Sequence, residues 1–164
     1  MILLPGETFS YNDVLGERTA DKGYQPAGAY SDGEVVEQLG GGICQVSSTL
    51  FAAVLHTDLE IVTRANHSMP VSYLPMGMDA TVSWGGPEFK FKNNFAYPIK
   101  ISASYSGGTI TFKILGAASD KKKIEVEIKK TGEMSAETYR KYYDENGNVT
   151  STKRVARSNY KPHS

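Results

Sequence analysis

Cys44 is the one cysteine of the chain, and it stands in Gly40-Gly41-Gly42-Ile43-Cys44-Gln45. Behind it Ile43, Val46, Leu50, Phe51, Val54 and Leu55 recur at a period near 3.6 with no Gly or Pro, which predicts a largely buried helix over 43–56. The thiol therefore falls in a first helical turn, where unpaired N–H groups and about half a positive charge favour a thiolate. A cysteine pKa in such a place can fall from about 8.5 into the range of roughly 3.5–7.5, and the thiolate is the nucleophile. The same N–H groups can stabilise an oxyanion developing on a substrate carbonyl. Gly41 and Gly42 would let a substrate backbone approach, and Gln45 adds a side-chain donor. Ser47 and Ser48, at i+3 and i+4, either line the site or hydrogen-bond within the helix. The plainer alternative is that Cys44 packs as a small hydrophobe.

A nucleophile needs a base, and there are three histidines. His56 lies 12 residues along the same helix, about 18 Å away at 1.5 Å per residue, out of reach of the thiol. His163 is the next-to-last residue. His67 remains, just beyond a β-rich Glu60–Arg64, on a segment that can fold back along the helix to the Cys44 end. A base needs an orienting group. Asp79 opens the next expected strand, Ala80–Trp84, and Asn66 is a second candidate, although adjacency in a strand would turn it to the opposite face. Cys44, His67 and Asp79 on helix, strand and strand is the order used by thiol peptidases and transglutaminases.

Metal and phosphate chemistry fit less well. One cysteine without HxxxH or CxxC spacing is a weak metal signal, and the glycine run lacks the Lys-Ser/Thr of a phosphate loop. No metal and no cofactor are expected.

The elements that must position these residues read as α+β, one buried helix against an antiparallel sheet. Ser10 can cap a short helical turn over Tyr11–Leu15. Asp32-Gly33, Gly107-Gly108 and Asn146-Gly147 each sit between strand-like runs and predict hairpins. Phe89-Lys90-Phe91-Lys92 alternates strictly and predicts a strand with one apolar face.

The chain has 164 residues with 18 basic and 18 acidic side chains, so its net charge is zero. That balance gives no electrostatic argument for nucleic acid. No apolar run is long enough to span a bilayer. The start lacks the pattern of a signal peptide and suggests a fragment. The zero charge conceals an asymmetry: residues 1–116 hold 7 basic against 11 acidic residues, and 117–164 hold 11 against 7. A boundary is expected near 117–120, with 1–116 as the main domain and 117–164 as a basic β-hairpin extension or linker.

Several stretches together resemble one family. They are Pro5–Asn12, Gly23–Ala27, Gly40–Leu50 with its Gly-Gly-Gly-Ile-Cys-Gln-Val-Ser, His67–Tyr73, Asp79–Val82 and Phe89–Asn94. In content and order they are similar to the VanW family over about residues 4–115. Residues 117–164 match loosely, mainly in Ser158-Asn159-Tyr160-Lys161-Pro162. The resemblance implies a bacterial, extracytoplasmic protein of the Gram-positive-type cell envelope. The context is peptidoglycan and vancomycin resistance, and longer members of the family often carry an N-terminal membrane anchor. It names no reaction, and the likeness to transglutaminase-like and NlpC-type enzymes is one of residue order alone.

Two functions of different class are then in play. In the first, Cys44 attacks an amide of a peptidoglycan stem peptide or cross-link, His67 is base and then acid, and Asp79 orients it. In the second, the glycine loop and the aromatic side chains Tyr24, Tyr30, Tyr73 and Trp84 line a groove for peptide or glycan, without catalysis.

Overall fold

The alternation in Phe89-Lys90-Phe91-Lys92 puts both rings on one side, and in the computed structural model of the chain both are fully buried. The structure describes residues 1–16, 26–31, 34–39, 43–71, 74–106 and 109–162. Among these the protein is mostly sheet, with few helices. The elements are β1 (Ile2–Leu3), β2 (Thr8–Ser10), α1 (Tyr11–Leu15), β3 (Pro26–Ser31), β4 (Glu34–Leu39), α2 (Ile43–Leu55), β5 (Glu60–Thr63), β6 (Lys90–Lys92), β7 (Ile99–Ser106), β8 (Thr109–Leu115), β9 (Lys123–Gly132), β10 (Ser135–Tyr143) and β11 (Val149–Asn159). They form four small sheets, ordered β1-β7-β8, β2-β6-β5, β3-β4 and β11-β10-β9, and every described pairing is antiparallel.

Local chemistry accounts for these elements. Ser10 caps α1 by accepting from the Asp13 N–H at 3.2 Å, and Gly16, at φ 68°, ends it by donating to the Asn12 carbonyl. Leu50, Phe51, Val54 and Leu55 give α2 a stripe that is at most 1% exposed. Phe51 meets Phe89 edge-on at 5.5 Å, and Phe91 stacks on Phe9 at 4.9 Å. Each such ring contributes about 1.5–3 kcal/mol by leaving water. The hairpins centred on Asp32-Gly33 and Gly107-Gly108 have described strands, but those glycines lie outside the described residues.

The expected strands for His67 and Asp79 are not there. β5 stops at Thr63, and residues 64–71 and 74–89 are irregular. The helix–strand–strand order of transglutaminase-like enzymes is therefore not what carries these residues. The backbone of 79–82 finds its partners on α2 instead. Ala80 N–H donates to Ser48 Oγ at 2.9 Å, and its carbonyl accepts from Ser47 at 2.6 Å and Ser48 at 3.1 Å. Thr81 N–H reaches the Ala65 carbonyl at 2.9 Å. Pro70, Pro75 and Gly77, the last at φ 93°, further break any ladder.

The basic segment folds as a sheet docked on the rest of the chain. At its tip Asp144 Oδ1 accepts the N–H groups of Asn146 and Asn148, both at 2.9 Å, and Gly147 takes φ 82°. On its inner side Arg140, from β10, donates to the carbonyls of Val54 and Leu59 at 2.9 Å and Leu55 at 3.0 Å. Thr138 Oγ1 donates to the Gly77 carbonyl at 2.7 Å. No helix among the described residues is long and apolar enough to cross a membrane.

Candidate functional site

Cys44 is the second residue of α2 and is partly exposed. Its Sγ lies 3.3 Å from the Val82 carbonyl oxygen and 3.5 Å from Thr81 Oγ1. The serines that tie Ala80 to α2 therefore also bring residues 81 and 82 to the thiol. His67 hydrogen-bonds Cys44 through its side chain. On its other side His67 Nδ1 is 2.7 Å from Asp79 Oδ2, and the same oxygen accepts the His67 backbone N–H at 2.7 Å. One carboxylate oxygen thus fixes both the ring and the backbone that bears it.

The other oxygen of Asp79 is equally engaged. Oδ1 accepts from Tyr160 Oη at 2.5 Å and from Arg64 Nη2 at 3.3 Å. Arg64 also donates from Nε to the Asp79 carbonyl at 2.8 Å and from Nη1 to Ser158 Oγ at 2.7 Å. Its guanidinium sits 5.0 Å over the Phe51 ring. Asp79 is fully buried and His67 is 6% exposed, so Cys44 is the wetter end of the row.

The charges follow from these contacts. Burial alone would raise the Asp79 carboxyl, but hydrogen bonds from His67 and Tyr160 and the Arg64 charge hold it below its ordinary value. Burial opposes a charged His67, yet bonding to Asp79 and to Cys44 outweighs it and pushes the imidazole up to about 9. Burial also opposes a Cys44 thiolate, and hydrogen bonds from His67 and Thr81 bring the thiol below its ordinary value. The Val82 carbonyl is an acceptor and favours the protonated thiol, so the lowering rests on His67 and Thr81. The three groups together favour a thiolate–imidazolium pair beside a fixed carboxylate.

The remaining candidates divide. Gln45 is exposed beside the thiol, and Trp84 is 50% exposed on the turn that follows Val82. Ser48 is fully buried and bonded to both backbone groups of Ala80, a place that holds the site rather than meeting solvent. Asn66 turns to the carbonyls of His67 and Asn159, both at 2.7 Å, and does not orient the imidazole. His56 is exposed at the other end of α2, 2.8 Å from the Ala52 carbonyl. Gly40, Gly41, Gly42, Tyr24, Tyr73 and His163 lie outside the described residues, as does the Tyr30 side chain. Among the described residues no group of three His, Cys, Asp or Glu is placed to hold a metal. A cleft of about 500 Å³ lies at the far end of α2, against His56, Phe95, Phe112 and Lys121, away from the thiol.

Two members were missed from sequence. Arg64 reads as the last residue of a strand, and Tyr160 lies 81 residues beyond Asp79. The one signal for Tyr160 is the Ser158–Pro162 stretch that is loosely similar to the family.

Comparison with known proteins fits the same part of the chain. The family described as "VanW like protein" matches residues 1–115. An uncharacterized protein YoaR of Bacillus subtilis strain 168 is 53% identical over 109 residues, covering 66% of this chain and 36% of that protein. The vancomycin B-type resistance protein VanW of Enterococcus faecalis strain ATCC 700802 / V583 is 34% identical over 99 residues, covering 57% of this chain and 36% of its own. The match thus takes in little more than a third of either relative. No solved structure matches. With the family matched across the whole stretch that carries Cys44, His67 and Asp79, the chain belongs to the VanW-like family, one of whose relatives is named for vancomycin resistance.

Proposed function

We propose that this VanW-like chain is a thiol enzyme of the bacterial cell envelope that cleaves or transfers peptide amide bonds in peptidoglycan. Cys44 Sγ attacks the amide carbonyl carbon and forms a C–S bond. The carbonyl oxygen takes the electron pair as an oxyanion beside the first-turn N–H groups of α2 and Gln45. When the tetrahedral adduct collapses, the C–N bond breaks and His67 gives its proton to the departing amine. Water then hydrolyses the thioester, or an amine takes the acyl group, with His67 accepting the proton. Asp79 keeps the imidazole oriented throughout and stabilises its charge in the steps where it holds the proton. The observation that carries this is His67 held between a buried carboxylate and a partly exposed thiol.

The test is turnover of purified muropeptides. Cys44→Ala should lower it by about 10³-fold or more while the protein stays folded. Undiminished turnover in that variant overturns the proposal, as does a wild-type thiol that alkylates with a midpoint at or above about 8.5.

A second reading rests on Trp84, a half-exposed ring next to the thiol segment. A module that binds peptidoglycan peptides or glycan without cleaving them would use that ring as a platform. Muropeptide binding by Cys44→Ser equal to wild type, lost in Trp84→Ala, with no turnover in either protein, would favour it.

A further inference from the structure

Tyr160 follows β11 and lies outside residues 1–115, yet its hydroxyl touches the carboxylate at the centre of the site. Its position is fixed from both sides. Tyr160 N–H donates to the Met134 carbonyl at 2.8 Å, and Lys161 N–H donates to the Ser68 carbonyl at 2.6 Å, next to His67. Ser158 accepts from Arg64, and the Asn159 carbonyl accepts from Asn66. The last residues of the docked sheet are therefore bonded to residues 64, 66 and 68, around His67.

The direction of the hydroxyl is fixed as well. Tyr160 Oη accepts the Gly77 N–H at 2.8 Å, so its single proton is free to point at Asp79 Oδ1. Gly77 is itself held: its carbonyl accepts from Thr138, and at φ 93° an added Cβ would come within 2.8 Å of Thr138 Oγ1. Tyr160 is 7% exposed, and burial followed by the neighbouring Asp79 charge pushes its phenol up, which keeps the proton on it. The charged and titratable groups facing Asp79 are Arg64, His67 and Tyr160, with Cys44 on the far side of the imidazole.

We infer that Tyr160 is a positioning residue of this site, whose hydroxyl holds Asp79 and draws off part of its charge so that the imidazolium can release its proton to a leaving group. The inference rests on the thiol-enzyme reading for its purpose, though not for its measurement. A carboxylate with three donors besides the imidazole is a weaker partner for His67 than one with two, so Tyr160 tempers the basicity that Asp79 confers.

The experiment is an NMR titration of the His67 ring in the full chain. Tyr160→Phe leaves Arg64 and both His67 donors on Asp79, and should raise the imidazole midpoint by about half a pH unit, roughly a threefold change. Replacing Tyr160 by 3-fluorotyrosine, a more acidic phenol and stronger donor, should lower it. Thr138→Val, which removes only the bond to the Gly77 carbonyl, should lower the melting temperature and leave the midpoint in place. An unchanged or lowered midpoint in Tyr160→Phe overturns the inference. If that variant does not fold, an unchanged or raised midpoint with fluorotyrosine overturns it. The readout is protonation, not turnover. A shift in Tyr160→Phe alongside full turnover in Cys44→Ala would sink the enzyme and leave the coupling standing.

Discussion

One buried guanidinium closes the C-terminal end of α2 and another stands in the row of side chains that leads to the thiol at its N-terminal end, and the two differ in what they touch. At the C-terminal end Arg140 donates to the carbonyls of Val54 and Leu55, in the last turn of the helix, and of Leu59 just beyond it. At the N-terminal end Arg64 donates to a carboxylate that also holds an imidazole, and the imidazole in turn holds a thiol. Carbonyls do not titrate, so Arg140 fixes a shape. A carboxylate does, so Arg64 helps to set a charge state that reaches Cys44. The cleft at the Arg140 end has His56 bonded to a helix carbonyl and no cysteine in its lining. The candidate site is thus marked by coupled titratable groups and not by the size of a cavity.

That contrast can be broken from either end. Arg140→Ala takes the guanidinium away from three buried carbonyls, of which Val54 alone keeps its Thr57 donors, and should cost about 3–5 kcal/mol of stability in urea unfolding. The alkylation rate of Cys44 in the folded fraction should stay within about twofold of wild type, and a tenfold fall would mean that the two ends are not separate. Asp79→Asn attacks the other end. It should bring the His67 midpoint down from about 9 towards the ordinary imidazole value and slow acylation about 100-fold. A variant still titrating near 9 would show that Asp79 is not the cause.

A linkage measurement sharpens the same point. A histidine raised on folding contributes stability that is fully present below its unfolded value of about 6.5 and lost as pH rises through the raised one. In wild type between about pH 6.5 and 9, the unfolded pair keeps one proton on sulfur and the folded pair keeps one on His67, so stability should be nearly flat. Cys44→Ala removes the compensating thiol, and its stability should fall with pH over that window. A flat profile in Cys44→Ala would mean that Asp79 without the thiol does not raise His67. The smallest effect is expected from Ser48→Ala. It orphans the buried Ala80 N–H for about 1–2 kcal/mol and loosens residues 81 and 82 against the thiol.

How far the sequence reaches is visible in the same residues. The apolar period of 43–56 identifies α2, and with it the first-turn place of Cys44, because a helix is specified by contacts three and four residues apart. His67 and Asp79 could be named as partners by elimination among three histidines and by proximity in the chain. Their setting could not. Ala80-Thr81-Val82-Ser83-Trp84 has strand composition, but its hydrogen bonds go to helix serines, and nothing local announces that exchange. Lining the site or bonding within the helix were the two places open to Ser48, and the structure gives it a third, against the backbone of Ala80. Arg64 and Tyr160 meet Asp79 across 15 and 81 residues, distances at which neither periodicity nor turn chemistry carries information. The basic character of 117–164 was plain from composition. That Arg140, the basic residue turned most deeply inward, would close the end of α2 was not.

The clasp on Asp79 also sets an order of events during synthesis. Helix α2, with Cys44, can form from its own neighbours as soon as it leaves the ribosome, but Tyr160 is made 116 residues after the thiol. At about 5–20 residues per second that interval is on the order of ten seconds. Over that time the carboxylate lacks one of its donors, and the sheet that seals it is still unfinished. A growing chain therefore carries its cysteine before the surroundings that bear on its charge are closed, and those surroundings are completed only after β11.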